Sequence, residues 1–190
     1  MGDVFQVLKG DHEAIETVLG RLEAARPPAG ADPEWRLARQ RLAERLIIEV
    51  TKHETVEEEF FWPAVREHVE DGDAPADEAT AQEQRAKSLL RELDGMPAGD
   101  QRFEELLAEI VRAVRVHIAF EETRVWPRLR RALTGTQAVK LGTALMTGKT
   151  LAPTHPDPDI APEPGILRAS GAMTAAADRL RDAATGRGKD

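Results

Sequence analysis

Hydrophobic positions recur every three to four residues in four long stretches of the chain, and each stretch ends at a cluster of Pro, Gly and Asp. Val4, Leu8, Ile15, Leu19 and Leu22 mark the first, over about 3–25, with Asp3 as its N-cap and "RPPAGADP" as its stop. Leu42, Leu46, Val50, Phe60 and Ala64 carry a second helix over about 33–68, and Pro63 inside it predicts a kink near Phe60. "EDGDAPAD" breaks that pattern, and a shorter third helix is expected over roughly 78–93. A fourth starts near Asp100 and places Phe103, Leu107, Ile110, Val114 and Leu129 on one side, with Pro127 inside it. Four amphipathic segments on short connections predict an all-α fold, an antiparallel up-down four-helix bundle over residues 1–134.

Residues 135–190 read as an extension. "TQAVKLGTALMTGKT" has the pattern of a short docking helix, and "LAPTHPDPDIAPEPG" holds five of the twelve prolines, which predicts an extended, PPII-like connector. Ile166, Met173, Ala177 and Leu180 have helical spacing and predict a terminal helix, with "TGRGKD" fraying at the end.

Polar residues interrupt the apolar stripes at specific places. On the first helix the inward series passes through His12, and on the second it continues through His53 and Glu57. On the third it selects Glu83 and leaves Gln84, Lys87 and Arg91 on the wet side; on the fourth it reaches His117 and Glu121. A repeat underlies two of these. "HETVEEEFFWPAVR" from His53 and "HIAFEETRVWPRLR" from His117 share His, Glu at the fourth and fifth following positions, Trp, Pro and a final Arg. Helices two and four therefore present equivalent halves of one site, related by a local pseudo-twofold.

Burying isolated ionisable groups is costly, so six inward-facing ones need a common explanation. Two divalent metal ions supply it: three neutral imidazoles and three carboxylates bring about −3 against +4. The i, i+4 spacing stacks each His over its Glu, so the imidazole takes a terminal position while the carboxylate bridges. For any one histidine, a core residue satisfied by a carbonyl or carboxylate is the ordinary alternative. Glu83 can equally snorkel or favour the N-terminal dipole of its helix. Glu58, Glu59 and Glu122 are expected to be solvated, with Glu58 or Glu122 at most backing a ligand. Phe60, Phe61, Trp62 and Trp126 form either a water-excluding sheath or ordinary core, the latter preferred for Phe61 and Trp62. His68 and His155 are expected to be exposed and without function.

Composition narrows the classes of function. The net charge is −8 and no basic stripe offers a surface for nucleic acid or an anionic membrane. With no cysteine there are no disulfides, thiolate metal sites or thiol catalysis, and with no tyrosine there is no phenolate ligand or tyrosyl radical. No secretory signal or bilayer-length apolar run is visible, so a cytoplasmic location is expected.

A lone His followed by two H-x-x-x-E segments, each with a downstream aromatic-Pro, resembles the hemerythrin-like (HHE cation-binding) family over about residues 4–133. The resemblance implies a four-helix bundle around two iron ions, bridged by an oxo or hydroxo group. It places ligands at His12, His53, Glu57, His117 and Glu121, with Glu57 and Glu121 bridging. The third helix departs from the family, which usually has a histidine there; "AQEQRAKSLLREL" has none and offers Glu83. The H-x-x-x-x-D spacing of the family's oxygen carriers is also absent from helix four, although Glu122 stands at the fifth position.

Carboxylate in place of imidazole favours the ferric state, which argues for O2, peroxide or NO chemistry or sensing over reversible O2 carriage. Catalase-like peroxide consumption is the enzyme form of this reading. An iron-responsive interaction module and a metal-free scaffold bundle are the alternatives, and the extension offers a route to homo-oligomers.

Overall fold

The structure, a computed structural model, describes residues 2–25, 32–160, 165 and 172–187. Among these the chain is all-helical, and no helix is long and apolar enough to cross a membrane. Helix α1 (Val4–Ala24) opens with a capping box, in which Gln6 N donates to Asp3 Oδ1 and Asp3 N donates to Gln6 Oε1, both at 2.9 Å. Asp32 caps α2 (Pro33–Val56) by accepting from Trp35 N, with Pro33 at the first position, where its missing N–H costs nothing. The stop expected in "RPPAGADP" lies mostly outside the described residues.

The second segment runs on to His68 as expected, but a π-helical turn, Glu57–Phe61, separates α2 from α3 (Trp62–His68). Trp62 N donates to Glu57 O, five residues back, and the wide turn accommodates Pro63, which has no N–H to give. The same device recurs after α5 (Phe103–Phe120): a π turn, Glu121–Val125, leads into α6 (Trp126–Ala132), with Trp126 N donating to Glu121 O. The sequence repeat is thus a structural repeat, and each π turn starts at a repeat glutamate.

Helix α4 (Asp73–Leu93) begins about a turn earlier than the pattern predicts, because Asp71 at φ 52° and Gly72 make a tight corner that keeps "DAPAD" helical. A Cβ on Gly72 would overlap the Val65 carbonyl oxygen. Helix α4 packs on α5, and α1 packs on α2 and on α7 (Gly135–Lys149), the expected docking helix, which a Thr134–Gln137 capping box starts.

Two apolar clusters form the core. Ile15, Leu19, Leu46, Val50, Leu90, Phe103, Ile110 and Val114 belong to one; Val4, Leu8, Val56, Phe61, Trp62, Ala79, Val125, Trp126 and Leu145 belong to the other. Along every long segment the inward polar residue falls between the two: His12 between Leu8 and Ile15, His53 between Val50 and Val56, Glu83 beyond Ala79, His117 beyond Val114. One end is further tied by Arg39, whose guanidinium grips Glu104 on α5 at 2.5 and 2.6 Å and the last α1 carbonyls, Leu22 O and Ala25 O, at 2.7 Å. The pair with Glu104 is bidentate, and the remaining nitrogen, Nη1, satisfies orphan acceptors at the end of α1.

The extension corrects several expectations. Residues 151–160 are irregular and lie against α2 and α4: Asp157 pairs with Arg91 at 3.0 Å and Ile160 O accepts from Gln84. Helix α8 (Ala172–Thr185) follows, with Ile166 and the Met173 side chain outside the described residues. Among its described side chains Ala175 and Asp178 are buried, whereas Leu180 is 74% exposed. Polar contacts hold it: Asp178 accepts from Thr154 N, and Asp182 accepts from Thr154 Oγ1. His155, expected to be exposed, is half-buried between Asp94 at 2.5 Å and Asp182 at 3.3 Å, with Arg187 bonding both carboxylates. His68 is half-buried as well.

Helix α7 comes close to the backbone at the start of α1 at Gly142. A Cβ on Gly142 would sit 2.8 Å from Gly2 O and Asp3 C, against backbone that cannot yield. Gly to Ala inside a helix ordinarily stabilises by about 1 kcal/mol. Gly142→Ala is expected instead to destabilise by about 2 kcal/mol through overpacking. Gly20→Ala, with nothing within 4 Å of the new Cβ, should show the ordinary gain. Urea unfolding of the two variants checks the opposite signs.

Candidate metal centre

All six inward residues picked out by periodicity converge, and none is more than 5% exposed. Helix α1 supplies His12, α2 His53, the first π turn Glu57, α4 Glu83, α5 His117 and the second π turn Glu121. Their donor atoms fall into two groups, His12 with His53 and Glu121, and Glu57 with Glu83, His117 and Glu121. Within each group the donor atoms lie no more than 4.8 Å apart. Glu121 spans both, with Oε2 3.0 Å from His12 Nε2 and Oε1 3.1 Å from His117 Nε2. Glu57 Oε2 lies 3.1 Å from His53 Nε2 and 3.8 Å from His117 Nε2.

These inner atoms are close without being bonded. Nε2 of His12, His53 and His117, both oxygens of Glu57 and Glu121, and Glu83 Oε2 are buried without a hydrogen-bond partner. Orphaned buried donors and acceptors at this density are rare in folded proteins. Lone pairs of imidazole and carboxylate aimed at a shared volume suit a first-row divalent cation, so the residues fit a metal pair.

Outside the inner atoms, each imidazole has a polar neighbour behind it, within hydrogen-bond reach for His12 and His117 and beyond it for His53. His12 Nδ1 is 2.8 Å from Glu122 Oε1, which also takes Lys9 at 3.3 Å. His53 Nδ1 lies 3.6 Å from Asp11 Oδ2, and the other Asp11 oxygen accepts from Lys149 on α7. His117 Nδ1 meets the amide oxygen of Gln82 at 3.2 Å. Trp62 Nε1 donates to Glu83 Oε1 at 2.5 Å, so Trp62 is more than the plain core residue expected. The Trp126 ring stacks on His12 with centroids 5.0 Å apart and 12° between planes.

Asp11, Gln82 and Lys149 carry no periodic signal of their own. Asp11 and Gln82 are each the neighbour of an inward residue, the one clue available in the sequence.

Glu58 and Glu59 are buried rather than solvated. Lys87, expected on the wet side, bonds both Glu58 oxygens at 2.5 and 2.6 Å, and Glu59 accepts from Gly165 N. Glu54, also fully buried, completes this second polar layer beside Glu83.

Burial pushes the Glu54 and Glu57 carboxyls well above the ordinary range, and raises Glu58 from 4.5 to about 7 although Lys87 opposes it. Burial alone would lower His117, but Glu121, Glu57 and Glu83 around it hold it well above its ordinary value. Burial would raise Glu121, yet His117, His12 and His53 keep it ionised. Burial lowers His53. In the metal-free protein, protons therefore do the neutralising.

Glu58 binds a proton in the folded state that the unfolded chain has released, so its contribution is complete below pH 4.5 and lost as pH rises through about 7. Glu54 and Glu57 act with the same sign and His53 with the opposite one, below pH 6.5. In chelator, the urea midpoint is expected to be lower at pH 8 than at pH 6; an equal or higher midpoint would contradict this balance.

No curated protein matches the chain. Among solved structures, a hemerythrin HHE cation binding domain-containing protein from Mycobacterium kansasii is similar, with a TM-score of 0.64 at 19% identity, over 79% of this chain and 86% of that one. At that identity the likeness speaks for the fold. Residues 3–129 match the family described as Hemerythrin HHE cation binding domain, a span that contains all six inward ligand candidates. The chain belongs to the hemerythrin HHE cation binding domain family.

Proposed function

We propose that residues 1–134 form an antiparallel four-helix bundle that holds two iron ions and reacts with O2, peroxide or NO, with residues 135–190 as an extension. His12, His53, Glu57, Glu83, His117 and Glu121 are the ligands in this reading, and Glu57 and Glu121 the bridges. The observation that carries it is the set of buried, unbonded imidazole nitrogens and carboxylate oxygens facing one another. A metal-free scaffold would leave those groups costly and unexplained. Bound iron would supply one-electron redox capacity and Lewis acidity toward a small oxidant.

The protein's part is to hold the ligands and keep water out. Trp62 fixes one oxygen of Glu83 and leaves the other for the centre. Glu122 sets the ring of His12 through Nδ1, and Asp11 faces His53 Nδ1 across 3.6 Å, so that Nε2 is the inward atom of each. Trp126, stacked on His12, and fully buried Phe61 close one end with apolar surface. The high carboxylate share, Glu83 above all, favours the oxidised metal and so peroxide consumption or sensing over reversible O2 carriage.

Protein purified from iron-supplemented medium is expected to carry two irons per chain and a ferric charge-transfer absorption. His53→Ala and Glu121→Ala should each lose both. A chain without metal, or with one zinc ion that survives both substitutions, would mean that the buried His–Glu pairs are structural.

A second reading, an iron-responsive interaction module, is favoured by the contact of Lys149 with Asp11 behind His53 and of Gly165 with Glu59, which tie the extension to the ligand helices. On that reading metal occupancy alters how the extension sits, and residues 151–184 change protease sensitivity between apo and iron-loaded protein. Identical digestion patterns would remove it.

A further inference from the structure

The two donor groups differ chemically. Glu121 belongs to both groups, and Glu57, grouped with the second, reaches His53 Nε2 at 3.1 Å and bridges in the reading above; the donors left to the first position alone are His12 and His53, whose rings face each other edge-on at 4.9 Å. Those of the second are His117 and Glu83, whose atoms approach to 3.5 Å. The first is a two-imidazole position, and the second replaces one imidazole with a carboxylate.

The surroundings widen that difference. In the first position Glu122 backs His12 through a 2.8 Å hydrogen bond, which strengthens the ring nitrogen as a donor, and the Asp11 carboxylate stands 3.6 Å from His53 Nδ1, an ion-pair rather than a hydrogen-bond distance. His117 is backed by the neutral Gln82 amide. Glu83 is held by Trp62 Nε1 through one oxygen, with the other buried and without a partner. A neutral indole N–H leaves the carboxylate its full charge. The second position thus collects Glu57, Glu83 and Glu121 around one imidazole, which a neutral amide backs.

Nitrogen donors discriminate among divalent first-row ions more than carboxylates do. Imidazole suits Fe2+, whereas carboxylate-rich sites suit Mn2+, and along the series Mn2+ gains least from each added nitrogen. We propose that, when both ions are offered, the centre sorts them: Fe2+ at the His12–His53 position and Mn2+ at the His117–Glu83 position. With iron alone both positions fill with iron. The proposal rests on the metal-centre reading above and adds Glu83 as the residue that sets the selectivity of the second position.

The 190-residue chain, stripped with chelator, is equilibrated anaerobically with one equivalent of Fe2+ and a tenfold excess of Mn2+. Its crystals are then measured on both sides of the iron and manganese absorption edges. The expected result is iron confined to the His12–His53 position and manganese to the His117–Glu83 position. Glu83→His is expected to lose the manganese and, given more iron, to bind two irons per chain by elemental analysis. Glu83→Gln, the conservative change, should lose the manganese and keep the first iron, with circular dichroism checking that both variants fold.

Iron and manganese scrambled over both positions, or manganese retained in the Glu83 variants, would overturn the sorting while leaving the metal centre in place. Protein that binds neither ion, or binds them away from these residues, would overturn both.

Discussion

Carboxylates crowded together out of water set the terms for this fold. Glu57, Glu83 and Glu121 are each 0% exposed, in a layer with apolar clusters on either side, where like charges repel strongly and no solvent screens them. Such a layer exists only if positive charge is supplied inside it. Protons on and around His117 do so in the metal-free state, and cations would do so when bound. The capped helix starts, the Arg39 clamp and the two apolar clusters hold the helices close enough for the layer to form, and no one helix can satisfy it alone.

The repeat brings a symmetry that its partners then break. His53 with Glu57 and His117 with Glu121 sit at matching places, each just before or at the start of a π turn that keeps the backbone continuous past a proline. Helix α1 adds His12 beside one half and α4 adds Glu83 beside the other. The aromatic positions diverge in the same way: Trp62 reaches Glu83, whereas Trp126 stacks on His12. Duplicated segments made two halves, and the unduplicated helices made them different.

What could be read in advance follows from where the physical signal lies. His12, His53, Glu57, Glu83, His117 and Glu121 were legible because each interrupts an apolar stripe at helical spacing, and the stripe records the inward face directly. The π turns were legible only as proline kinks; the residue that the first one adds shifts the inward face by one, so that Phe61 and Val65 are buried where the pattern pointed to Phe60 and Ala64. Lys87, Glu58, Glu59 and His155 were misplaced for a common reason. Their cover comes from one another and from the segment after α7, and a periodic pattern cannot say which surface a distant, proline-rich stretch of chain will lie across. On α8 the apolar Leu180 points outward and Asp178 inward, because hydrogen bonds to residues 154 and 155 fix that helix.

The depth of the inner donors has a kinetic side. A centre at the surface trades its ions with solvent at a rate set by ligand dissociation alone. Here every inner nitrogen and oxygen lies under packed helices, so an ion enters or leaves only while the helices are parted. Exchange of a bound cation would then be governed by how often the helices open, and stabilising the apolar clusters would slow loading and loss together. The tightness that shelters the centre also makes it slow to remake.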